Sequence, residues 1–152
     1  MENSIRLVGQ DKIDEVKRHF KEKGDKGLLV ELQGKELETW QQYAVEIGRK
    51  LSFPAMYQES EKEHVFEAYD DWITDLSWFE GVEEFAIIIY DYRLFLWREK
   101  GNVRQGTYGS YILDKNLVVR SFVDSVLPWW DGDVEKYCVG GKAKPFNVYL
   151  VD

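Results

Sequence analysis

The sequence predicts an α/β domain on a small, three-stranded parallel sheet flanked by helices, and three observations carry that prediction. FAIII at 85–89 is a continuous apolar run rich in branched residues, as in a strand covered on both faces. LLVELQ at 28–33 and PFNVYLV at 145–151 read as two further strands. Helical patterns separate all three, and strands separated by helices pair in parallel.

The elements follow in order. SIRLV at 4–8 is a further strand candidate within an N-terminal extension, 1–26. Residues 11–23 place Ile13, Val16 and Phe20 at helical spacing, with Gly24 suited to the C-cap and GDKG as a turn. After the 28–34 strand, Thr39 and Gln42 have the spacing of a capping box, and Trp40, Tyr43, Ala44, Ile47 and Leu51 form one apolar stripe. That helix stops before Pro54, which disfavours helix at Phe53. Residues 62–77 form the next predicted helix, with Val65, Tyr69, Trp72, Ile73 and Leu76 on its apolar side. Glu63, Glu67, Asp71 and Asp75 occupy the other side as a slanting acidic band, where like charges four apart weaken a helix by a few tenths of a kcal/mol per pair. Residues 92–109, with Gly101, Gly106 and Gly109, read as irregular. Residues 110–127 read as helical, Pro128 interrupts, 133–139 resumes the helix, and Gly140-Gly141 turns into the last strand. No repeat or linker divides the 152 residues, so one domain is expected, with an enlarged C-terminal half.

Charge is distributed unevenly. The chain carries a net −8, of which residues 58–84 hold −9 through ten acids and one lysine, Lys62; the other 125 residues sum to +1. Acid gathered in one block presents a directed field that repels nucleic acid and attracts a basic partner. The chain is 44% hydrophobic and 15% aromatic, which excludes a disordered acidic tail. No apolar run nears the ~20 residues of a membrane span, the start lacks a signal-peptide pattern, and Cys138 is the sole cysteine, so a soluble cytoplasmic protein is expected.

Motifs for common chemistries are missing. His19, His64 and Cys138 lack ligand-like spacing, so no metal is expected. No GxSxG elbow, phosphate loop or dinucleotide fingerprint occurs, and no cofactor is expected. The carboxylates at 63–75 leave three readings open: a surface for a basic partner, a plain solvated face, or acid–base catalysis, which would need a cleft fed by separate elements. Trp78 and Tyr57 flank the acidic stretch and are candidate interface anchors, with a core role as the alternative; Trp129 and Trp130 raise the same question.

Several strings share a resemblance. LQGKEL after a strand, RKLSFP closing a helix, then DDWITDLSW leading into FAIII make residues 28–90 similar to the barstar family of intracellular ribonuclease inhibitors, and PFNVYLV resembles that family's last strand. The resemblance implies a non-enzymatic immunity or antitoxin protein that plugs the active site of a basic ribonuclease. It implies Asp71 as the main inhibitory aspartate, Glu67 as a second acid one turn earlier, and Tyr57 and Trp78 as contact aromatics. Glu63, Asp70 and Asp75 complete the expected partner-binding face. The loop departs from the family, reading Tyr57-Gln58-Glu59-Ser60 in place of Tyr-Gly-x-Asn, and 91–144 is longer. The alternative is a regulatory or scaffold domain that keeps the fold and binds another basic protein without inhibiting it.

Overall fold

The computed structural model describes residues 2–152. Strand β3 (Glu84–Tyr90) lies inside a sheet whose order is β1–β6–β3–β2, with β1 at Ile5–Leu7, β2 at Gly27–Gln33 and β6 at Phe146–Leu150, all neighbours parallel. The three strands expected from the sequence form the β6–β3–β2 part. The sheet nevertheless has four strands: the N-terminal residues pair Ile5 with Val148 and Leu7 with Leu150, so the extension belongs to the sheet.

Strand order explains how the helices are distributed. Parallel crossovers are right-handed, so reversing the direction of travel across a sheet moves the connecting helix to the opposite face. The chain travels one way from β1 to β2 through α1 (Gln10–Lys23), then back from β2 to β3 and on to β6. Helix α1 therefore covers one face alone, where Ile13, Val16 and Phe20 bury against Ala86, Ile88, Tyr149 and Val151. The other face carries Val30, Leu32, Phe85, Ile87, Ile89, Phe146 and Val148. Helices α2 (Trp40–Lys50) and α4 (Phe66–Ile73), the short α3 (Ala55–Gln58) and the C-terminal helical region cover it. The continuous apolar run of β3 follows from this: its residues 85–89 are buried from both sides.

Helix α2 forms as its sequence indicates. The Thr39 side chain accepts from Gln42 N, and the Gln42 side chain accepts from Thr39 N, giving the reciprocal box. Glu99 adds a long-range cap by accepting from Trp40 N at 2.8 Å.

Three expectations are corrected. The helix expected over 62–77 spans only Phe66–Ile73. Before it, His64 N donates to Gln41 Oε1 and His64 O accepts from Trp40 Nε1, tying residue 64 to α2, and Val65 is extended at the N-cap. After it, Leu76 adopts a left-handed φ of 50° that ends the turn. Residues 110–113, expected to be helical, form strand β5 (Ser110–Leu113), paired antiparallel with β4 (Asn102–Gln105) in a hairpin. Helix α5 (Lys115–Ser121) starts just beyond, where the Asp114 side chain accepts from Leu117 N at 2.9 Å. Pro128 does not stop the chain's helical path. The backbone widens into a π-type turn at Phe122–Val126, runs on through Pro128, and kinks at Gly132, whose backbone leaves the helical region, before α6 (Val134–Tyr137). The wider turn accommodates the missing proline N–H and the clash of its ring with the carbonyl of Asp124, four residues earlier.

Because α1 alone seals the second face, Ile13→Ala is expected to cost about 2–5 kcal/mol of folding stability in chemical denaturation. A loss near zero would show that the N-terminal unit is dispensable.

Candidate partner-binding site

The acidic block splits into carboxylates held by the protein and carboxylates left free. Glu63 lies ahead of α4 and its Oε1 pairs with Arg104 Nε at 3.1 Å. Glu67, in the first turn of α4, accepts from Thr107 N at 2.9 Å through Oε1, while its Oε2 is shielded and unpartnered. Both acids are thus engaged by the β4–β5 hairpin, whose opposite strand packs Tyr111 against Phe66 and receives Phe66 N on the Tyr111 hydroxyl. A Cβ at Gly106 would push the Glu67 carboxylate off its bond to Thr107 N.

Asp70 faces inward. Its carboxylate accepts from the hydroxyls of Ser121 and Ser125, both at 3.2 Å to Oδ1. Burial pushes its carboxyl above the usual carboxylate range, opposed by the two serine hydrogen bonds. Glu84 is paired with His19 at 2.9 Å and Lys23 at 3.3 Å on α1. Asp71 and Asp75 are exposed and have no cation within ion-pair distance among the described residues. Asp75 sits beyond the end of α4, where it accepts from Ser77 N at 3.2 Å. Of the four carboxylates expected as a helical band, only Glu67 and Asp71 lie on the helix, so a single i,i+4 repulsion remains within it.

The two candidate aromatics serve the interior. Tyr57 is 4% exposed, and its hydroxyl donates to Ala44 O at 2.9 Å. Its ring stacks on His64 at 4.0 Å and fills the space left by the missing side chain of Gly48. His64 is itself buried, and burial lowers its pKa, so this histidine is not a cation for the acidic block. Trp78 is half-buried; its indole N–H donates to Leu51 O at 2.9 Å, and its ring meets Phe53, Trp72 and Phe79. Neither Tyr57 nor the indole N–H of Trp78 is free to anchor a partner in this conformation.

Sequence reasoning missed Arg104, Thr107, Ser121 and Ser125. The serines sit four apart on one helical path, and the Gly106–Gly109 spacing between alternating residues is a hairpin signal that the scattered glycines obscured. Among the described residues, no group of three or more His, Cys, Asp or Glu is arranged to hold a metal, and no helix is long and apolar enough to cross a membrane. Comparison with models of known protein families, with curated proteins and with solved structures found no match.

Two outcomes test this geometry. Gly106→Ala is expected to destabilise the protein, and to do so less in a Glu67→Ala background; equal costs in a double-mutant cycle would show that the turn does not rest on Glu67. For Asp70, the folded state holds a proton more tightly than the unfolded chain. Its contribution therefore favours folding at low pH and is lost as pH rises from the ordinary carboxylate range through the raised folded value. Asp70→Asn is accordingly expected to unfold at higher denaturant than the parent at pH 7, with the gap closing as pH falls. A gap that widens on acidification would reverse the assignment.

Proposed function

We propose that this chain is a non-enzymatic binding protein that recognises a basic protein through the free carboxylates at the end of α4. Its best-fitting target is a ribonuclease toxin of the same cell, which it would neutralise as a cytoplasmic immunity protein. The observation that carries the reading is Asp71: exposed, without an internal cation, and within a 27-residue block holding −9. Carboxylates placed this way steer a basic partner and meet its arginines or lysines without first breaking an internal pair. The resemblance of 28–90 to the barstar family points to the same aspartate and supplies the ribonuclease as target.

A specific observation favours the second reading, a scaffold domain for another basic protein. Glu63 and Glu67 are occupied by the hairpin and Tyr57 is interior, so much of the face implied by the resemblance is otherwise engaged.

Capture of partners from the native cell at low salt, followed by an RNA-cleavage assay of the captured protein with and without this chain, separates the two. Inhibited cleavage supports the immunity reading; a captured basic protein without nuclease activity supports the scaffold. Asp71→Ala is expected to weaken binding by about 2–5 kcal/mol, the cost of leaving a partner's cation unpaired at an interface. Unchanged affinity would remove Asp71 from the site.

A further inference from the structure

Beside Asp71 and Asp75 lies a cleft of about 740 Å³, between the segment that leads from α4 into β3 and the segment that leads through α6 into β6. Its volume falls in the range of pockets that enclose small ligands or short peptide segments. One wall carries Asp71, Asp75 and Glu80; Lys142 and Lys144 belong to the facing segment. None of these five joins an ion pair, so charges of both signs line one cleft without neutralising each other. Lys144 is held in place: its Nζ lies 5.6 Å from the centroid of the Phe85 ring and 6.0 Å from that of Trp130, and its backbone N–H donates to Trp130 O at 2.9 Å. Trp129 and Trp130 line the apolar part of the cleft. Trp130 is fully engaged through its indole N–H, which donates to Ile73 O at 3.1 Å, whereas the shielded indole N–H of Trp129 has no acceptor in the protein.

These features together select an occupant. A purely cationic ligand would meet Lys142 and Lys144, and a purely anionic one would meet Asp71 and Asp75. A peptide segment supplies both charges and an apolar side chain for the two tryptophans. We propose that the cleft binds an extended peptide segment carrying a basic and an acidic side chain on either side of an apolar one, the basic group against Asp71 and Asp75 and the acidic group against Lys142 and Lys144. That the segment belongs to the basic partner rests on the function proposed above; the preference of the cleft for such a peptide does not.

The test uses the intact protein and the blocked peptide acetyl-Arg-Leu-Glu-amide, with affinity read by calorimetry and the tryptophan indole N–H signals read by NMR. Binding that moves the Trp129 signal is expected. Replacing the peptide's arginine by citrulline, or its glutamate by glutamine, should each weaken it about tenfold, the loss of one charged hydrogen-bonded contact. D71N/D75N should shrink the difference between the arginine and citrulline peptides, and K142Q/K144Q should abolish the difference between the glutamate and glutamine peptides. All four positions are at the cleft surface, and the folding of each variant is checked by its unperturbed indole spectrum. Absence of binding, equal affinity for the citrulline peptide, or binding that leaves Trp129 unmoved overturns the proposal. A chain that binds these peptides but captures no basic protein overturns the proposed function and leaves the cleft assignment standing; a chain that captures a ribonuclease but ignores the peptides does the reverse.

Discussion

Burial of β3 on both faces is the constraint on which the rest of the structure depends. A strand reading Phe85-Ala86-Ile87-Ile88-Ile89 needs apolar cover above and below, and hydrogen-bonding neighbours on each side. Helices α2 and α4 give one layer of cover and α1 the other, while β6 and β2 complete the ladder. The right-handed crossover rule turns that demand into topology: the only connection made in the opposite direction, from β1 to β2, is the one that can cover the remaining face. The N-terminal unit is thus an integral layer of the fold.

The same packing decides what the acidic block can do. Tyr69 and Ile73 bury α4 against the first core, and Tyr43 and Tyr69 share a 2.6 Å hydrogen bond between their hydroxyls, with burial pushing both phenols well above their usual range. With that side fixed, the other side of α4 is divided among neighbours. The hairpin takes Glu63 and Glu67, the α5 path takes Asp70, and Asp71 and Asp75 are left to solvent beside the cleft. Local acid that looks self-repelling in sequence is therefore partly neutralised by distant residues; among the described residues Asp71 and Asp75 at the end of α4 stay unpaired, as do Glu59, Glu61, Glu80 and Glu83 in the flanking loops.

Most of the sheet was legible in the sequence because its signals are local: branched apolar runs for β2, β3 and β6, and the Thr39–Gln42 box for α2. The ends of α4 were not legible, because they are set by tertiary bonds to Gln41 and Trp40 and by the left-handed turn at Leu76. Apolar periodicity through Val65 and Leu76 overstated the helix, since Leu76 is buried without being helical and Val65 is left exposed at the N-cap. The hairpin was hidden for a related reason. Val103 and Ile112 pair across its strands yet remain exposed, so no core pattern marks them. Asp71 was correctly placed on a helix and is exposed, whereas Tyr57 and Trp78 illustrate that an aromatic next to an acidic stretch is as readily a packing residue as an anchor.

The central claim is that function resides in the carboxylates the protein leaves unpaired. The most direct measurement compares the association rate of a captured basic partner with the parent chain, with D71N/D75N and with E63Q/E67Q, each across a range of salt. The account predicts slower association and a flatter salt dependence for D71N/D75N and near-parental behaviour for E63Q/E67Q. Equal losses in the two variants, or a loss confined to E63Q/E67Q, would contradict it.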